Sequence, residues 1–497
     1  MKRIVFLTIA TLLVIGLVLP GCAGGGGGGG VVIYTFPGGI IKIAIAGPMG
    51  NIQGTNMLAG AQLAVNQMGT VNISGVAHTV QLINVNTREI APPWATFPAG
   101  QVENAITVQG ANFVMGGFRT EATAGMIDVT MACKKMFFVV GAATGDLLKP
   151  VNQNYAKYKY LFRATPINET FLFMNTICML EMVGHVVNAT LAGYGANITK
   201  PRVAFLAEDL VWTQIPLALV QAVVLALNYT YLGTWKVSDT AVNIQAELNN
   251  IALLKPHIIF TFLSGPVGLA YGRDMGVLNM SAMSVGINVE GQDPSFWAAT
   301  KVPGQNWWGA EGMMSLVTWA PNVNQTAKTQ PFLTAFQAAT GQFPIYTAAT
   351  YDMVLSLVKA LEATATYNTA TGMGEVKADD LIAWFEDVAN NQTGTAGTSG
   401  FYTTAHQPFV NAGVPAYAHD LKYGPQWQTG LGAQWQNDGI GGGITVGVWP
   451  KAEFAAYNQA LNPFNTALGL NWTSFGEWPG TQMFTIPPWM VPIWLTY

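Results

Sequence analysis

The chain has 497 residues with 22 Lys and Arg against 26 Asp and Glu, a net charge of −4, and only 10% charged residues, where about 25% is usual. Half of it is hydrophobic, 11% is aromatic, and mean hydropathy is +0.30. A chain without basic excess is a poor nucleic-acid binder, and one this aromatic is not disordered.

The N-terminus is the one stretch that approaches the length of about 18 apolar residues a spanning helix needs. The run from Ile215 to Leu227 is too short and is broken by Gln221. A multi-span membrane protein is therefore not expected. Lys2 and Arg3 precede an apolar run from Ile4 to Leu19, the pattern of a secretory signal. Its end, Leu19-Pro20-Gly21-Cys22, resembles a lipobox, in which cleavage precedes the cysteine and lipid is attached to its sulfur. Gly24 to Gly30 then form a flexible tether. The expected order is a signal segment at 1–22 and a tether at 23–38. Nine Asn-x-Ser/Thr sequons, at Asn72, Asn168, Asn188, Asn197, Asn228, Asn279, Asn324, Asn391 and Asn471, suit a glycosylated cell-surface protein. Cys133 and Cys178 allow one bridge or two buried thiols.

After the tether, strand and helix patterns alternate. Ile41–Ala46, Val80–Val85, Asn112–Met115 and Met136–Val140 read as strands; Met57–Met68, Val102–Val108 and Glu121–Cys133 read as helices. The pattern restarts with Leu161–Arg163 and a long helix from Glu169 to about Ala192. Strands at Arg202–Leu206, Tyr231–Val237, His257–Phe262 and Ser284–Val289 follow, with helices at Pro216–Leu227 and Ile244–Leu254. His257–Phe262 is nearly apolar throughout, as a strand covered on both faces should be. Helices at Gln330–Ala339, Ala348–Ala363 and Asp379–Ala389 precede a Gly-, Trp- and Pro-rich remainder. This alternation predicts an α/β protein with parallel sheets.

Catalytic constellations are absent. The five histidines are scattered, and no HExxH, CxxC, GxSxG or phosphate-binding GxxxxGK[ST] occurs. Glu208-Asp209 is a carboxylate pair, but adjacent side chains diverge. No enzyme activity, metal or cofactor is expected.

Ligands of open α/β sheets bind where strands end, and three such places are informative. Ile41–Met49 followed by Gly60-Ala61-Gln62-Leu63-Ala64-Val65-Asn66, then Val114-Met115-Gly116-Gly117-Phe118-Arg119-Thr120-Glu121, then Phe138-Val139-Val140-Gly141-Ala142-Ala143-Thr144, resemble the leucine/isoleucine/valine-binding family of ABC-transporter solute-binding proteins, the type I periplasmic binding proteins. Phe162-Arg163-Ala164-Thr165-Pro166 is similar to the first hinge crossing, and Gln434–Gly439 with Val448-Trp449-Pro450 to the usual ending. The resemblance implies two doubly wound parallel-sheet lobes joined by a multi-strand hinge: an N-terminal lobe of 39–163 and 312–410, a C-terminal lobe of 164–311 and 411–450, and an extension at 451–497.

It also implies a lipid-anchored receptor that closes on an amino acid or related small carboxylate and hands it to an ABC permease. A surface sensor or adhesion glycoprotein on the same fold is the alternative. Thr120 matches the family's serine at the ligand carboxylate, a role compatible with capping the following helix. Ala142 and Thr144 match its neighbouring backbone and hydroxyl contacts. The acidic partner of the ligand ammonium is Glu290 if aligned on Gly291, whereas alignment on Gly286 puts Asn288 there. Trp212 and Tyr346 fall near aromatic ligand contacts, or pack in the core. Arg119 replaces a small polar residue. It either takes a second acid group or turns away to Glu121 or Asp146. Trp489–Tyr497, with Pro492 inside it, is expected to pack on a lobe or touch a partner.

Overall fold

The computed structural model describes residues 30–90, 93–196, 200–406, 416–424, 427–451 and 477–497. The signal-like segment, Cys22, most of the glycine tract and the sequons at Asn197 and Asn471 lie outside the described residues.

Two sheets organise the chain. The first has six strands, in the order Val71–Ile73, Val76–Asn86, Ile40–Gly47, Phe113–Gly116, Phe137–Val139, Leu161–Arg163. All pairings are parallel except the hairpin of Val71–Ile73 with Val76–Asn86. The second has seven, in the order Gly443–Trp449, Leu431–Asn437, Met314–Val317, Met283–Asn288, Ile258–Leu263, Arg202–Glu208, Thr230–Val237. Its last two strands in sequence add antiparallel at one edge. Ile258–Leu263 and Met283–Asn288 are buried along their whole length, which is what helices on both faces of a parallel sheet require.

The covering helices follow from local chemistry. Glu169–Gly193 is capped by the Asn168 side chain, which accepts from the Thr170 N–H at 2.9 Å. This helix is long and apolar enough to cross a membrane, a property the hydrophobic-run reading overlooked, but 83% of its apolar window is buried inside the protein. Ala378–Glu386 buries Leu381, Ile382 and Phe385 on one face and has Asp379 and Asp380 in its first turn, where carboxylates suit the helix dipole.

The crossings between lobes depart from the expected boundaries. The chain leaves the first sheet after Arg163, as the hinge motif implies. The return is not at 312, because Met314–Val317 pairs inside the second sheet. It comes at the Trp319 region, which packs with Phe332, Phe336 and Leu63. Residues 416–424 are not all second-lobe either: Tyr417, Ala418 and Leu421 belong to the first core and Tyr423 to the second. The C-terminal segment packs on the second lobe, where Trp494 is fully buried and donates from Nε1 to the Ser281 carbonyl at 2.6 Å.

Cys178 is a buried free thiol, so it forms no bridge with Cys133. Asn168 is 1% exposed and donates to Asp420 at 3.1 Å, which removes this sequon from any glycan-bearing surface of the folded protein.

Candidate ligand-binding site

The carboxyl ends of both sheets face the cleft. In the first lobe, strand Phe113–Gly116 ends in Gly116 and Gly117, with φ of 134° and 80°. A Cβ on Gly116 would lie 1.8 Å from the Ala46 carbonyl oxygen, so only glycine lets the turn press against the neighbouring strand. Helix Thr120–Ala132 begins directly after this turn. Its N-cap is Arg119, without a side-chain capping bond. Thr120 is therefore not the cap; its hydroxyl sits 2.7 Å from the Thr144 hydroxyl. Nearby, burial pushes the Glu169 carboxyl up to about 7.

Glu89, which no motif marked, accepts from the N–H groups of Phe118 and Arg119, each at 2.7 Å, and from the Thr87 hydroxyl at 2.6 Å. Burial raises its carboxyl above the ordinary range against the pull of these donors. The turn ahead of the helix thus has two of its N–H groups already taken by a buried carboxyl.

Arg119 neither reaches Glu121 nor Asp146, and it is not free for a ligand acid. Its guanidinium crosses the cleft, donating to Asp239 at 2.6 Å and to the Ser264 hydroxyl at 3.0 Å, with Glu208 at 3.7 Å. The side chain is 4% exposed. Glu208 accepts from the backbone of Ser264 and Gly265 and from the Ser264 hydroxyl, while Asp209 turns outward to Lys236. The adjacent carboxylates diverge because they alternate across the end of a strand.

Between these groups lies a cavity of about 740 Å³, including its open mouth. Arg119, Thr120, Trp212 and Tyr346 line it. Its walls are mostly apolar, with Phe118, Ile167, Leu172, Ile287, Val289 and Leu316 among them. Trp212 lines the cavity and also packs in the core, being 8% exposed, packed on Phe262 at 5.8 Å and donating to Glu208 at 3.4 Å. Tyr346 reaches the Gly141 carbonyl at 3.5 Å.

Four expected contacts are turned elsewhere. Ala142 and Thr144 do not line the cavity. Their carbonyls accept from Arg163 at 2.6 and 2.8 Å, and the same guanidinium bonds Asp420 at 2.6 Å. Asn288 donates to Gly268 and accepts from the Gly291 N–H, bracing its own loop. Glu290 also stands outside the lining; it accepts from Gln53 at 3.2 Å, and burial pushes its carboxyl up to about 6. Among the described residues no group of His, Cys, Asp and Glu could hold a metal ion.

Sequence reasoning missed Glu89, Gln53, Asp239 and Asn175. Each lies in a stretch without a recognisable motif: Gln53 and Asn175 are polar residues on buried helix faces, and Glu89 and Asp239 sit in turns just after strands.

The profile of the periplasmic binding protein family matches residues 41–414. The chain belongs to this family. A comparison with curated proteins finds no match. Solved structures share the fold at low identity. A solute-binding protein of an ABC transporter from Rhodopseudomonas palustris, in complex with 3,4-dihydroxybenzoic acid, is 16% identical with a TM-score of 0.59, covering 82% of this chain and 95% of its own. The branched-chain amino acid transporter substrate-binding protein LivJ of Streptococcus pneumoniae, in complex with isoleucine, is 14% identical with a TM-score of 0.58, covering 83% and 99%. The leucine-binding protein LivK of Thermotoga maritima is 14% identical with a TM-score of 0.57, covering 82% and 97%.

Proposed function

We propose that the protein captures a small, largely apolar monocarboxylate, aromatic or branched, by lobe closure and delivers it to an ABC permease. The observation that carries the reading is the make-up of the cavity: apolar walls with Trp212, Tyr346 and Phe118, and the Thr120 hydroxyl at the start of a 13-residue helix. The first-turn N–H groups of a helix have no partners within it and favour an anion. A carboxylate on Thr120 and these groups leaves the ligand's apolar body against the rings.

The charges around the cavity argue for one acid group. The two carboxylates Asp239 and Glu208 more than offset the single Arg119 charge, so no cation is left for a second carboxylate. A zwitterion needs an anionic partner for its ammonium, and no carboxylate lines the cavity: Glu290 is committed to Gln53, Asp239 to Arg119 and Glu208 to Ser264. This ranks aromatic and branched acids above amino acids. The complexes of the two similar proteins with 3,4-dihydroxybenzoic acid and isoleucine support both classes as candidates.

The test is calorimetry with benzoate, isovalerate, leucine and isoleucine. Benzoate or isovalerate will bind most tightly, and Thr120→Val will weaken that binding by about 10- to 100-fold, the worth of a hydrogen bond to a charged group. Unchanged affinity in the Val variant sinks the assignment of Thr120, and tighter binding of the amino acids sinks the ranking.

The N-terminal pattern supports an extracytoplasmic protein held by lipid on Cys22. Cys22→Ser will move the protein from the membrane pellet to the soluble fraction; retention in the pellet refutes the anchor.

A further inference from the structure

We propose that Asn175 and Thr429 are the specificity contacts of this cavity, recognising a hydroxyl group on the part of the ligand that faces the second lobe. The inference rests on the carboxylate reading above and adds what the rest of the ligand must carry. Asn175 sits one turn beyond Leu172 on helix Glu169–Gly193, and both line the cavity. Thr429 lines it too, just ahead of strand Leu431–Asn437.

Both residues are almost wholly buried, at 1% and 2% exposure. Among the described residues, neither Nδ2 nor Oδ1 of Asn175 has a hydrogen-bond partner, and neither does Oγ1 of Thr429. Gly430, next to Thr429 in the chain, stands against Asn175: a Cβ on it would lie 3.4 Å from Asn175 Nδ2 and 2.3 Å from Leu316 Cδ1. Glycine at this position keeps the space beside the amide open.

Most of the other polar side chains of the lining are already engaged. Arg119 bonds Asp239 and Ser264, Thr120 bonds Thr144, Ser264 bonds Glu208, and Gln292 donates to the Leu316 carbonyl at 3.3 Å. Buried amides and hydroxyls are rarely left unpaired, because desolvation without a partner is costly. An amide can donate and accept at once, and so can a hydroxyl. A ligand hydroxyl placed between Asn175 and Thr429 satisfies both. Thr120 lies on the first-lobe wall and this pair on the second, so closure would join the two ends of one hydroxy acid.

Calorimetry of the full-length protein with benzoate, 3-hydroxybenzoate and 4-hydroxybenzoate tests it. A site built to bond a hydroxyl discriminates strongly against an analogue that lacks it. At least one hydroxybenzoate will bind about tenfold or more tightly than benzoate. In Asn175→Leu and in Thr429→Val the ratio will fall toward one. The ligand-free Asn175→Leu protein will also melt at a higher temperature, because an unpaired buried amide has been removed. The proposal is overturned if the native protein shows no hydroxyl preference, or if the preference survives both variants. Benzoate binding without hydroxyl preference overturns only this proposal. Failure of all three acids to bind, with leucine or isoleucine binding instead, overturns the carboxylate ranking as well.

Discussion

Arg119→Met will lower the affinity for the preferred carboxylate by about 100- to 1,000-fold while leaving the melting temperature of the ligand-free protein nearly unchanged. The guanidinium belongs to the first lobe, whereas Asp239, Ser264 and Glu208 belong to the second. Removing one member of a buried ion pair costs about 3–5 kcal/mol, because the remaining charge stays desolvated. At about 1.4 kcal/mol per tenfold this is two to three decades. The cost falls on the closed arrangement alone, since opening the cleft returns Asp239 to water. Arg119→Lys keeps the charge but not the fork that serves Asp239 and Ser264 together, and will lose about tenfold. Since the pair is buried, affinity will respond little to added salt. Calorimetry across the three proteins decides the matter: a Met variant with native affinity shows that the bond across the cleft does not hold it shut.

Trp212→Ala will weaken binding by about 100-fold, and Trp212→Phe by less than about tenfold. The indole forms one wall of the cavity and rests on Phe262. Truncating a buried tryptophan to alanine costs about 3–5 kcal/mol through lost transfer energy and an unfilled hole. Part of that is lost from the folded lobe and part from the ligand contact. Comparing the melting temperature of the free protein with ligand affinity separates the two. A large drop in melting temperature with native affinity would make Trp212 a core residue only.

Much of the architecture was legible because burial writes itself into sequence. Ile258–Leu263 has to be apolar on both faces, and the alternation of such runs with helical stretches dictates parallel sheets. The first helix shows where this logic stops. It begins at Ile52 rather than Met57, because its first turns bury polar residues that break the apolar stripe. Gln53 and Asn56 are each 1% exposed. They bond the cleft and the later chain, Gln53 to Glu290 and Asn56 to the Ile345 N–H at 3.0 Å. Arg119 was conspicuous as a lone charge at a strand end, but its partners lie in the other lobe. Periodicity and spacing report neighbours along the chain and cannot report those. The same holds for Ala142 and Thr144. The turn was located correctly, and the direction of its carbonyls was decided by Arg163, a residue read only as part of the hinge.

That arginine has a mechanical consequence. Arg163 is fully buried, and it ties the first crossing strand to Asp420 on the last one and to the carbonyls of the turn at 142–144. Asn168, at the head of the long second-lobe helix, grips the same Asp420. Pivot and turn are therefore one rigid piece, like a jaw cast together with its hinge pin. A solute pressing on that turn has no slack to take up, so the force it exerts goes directly into the angle between the jaws.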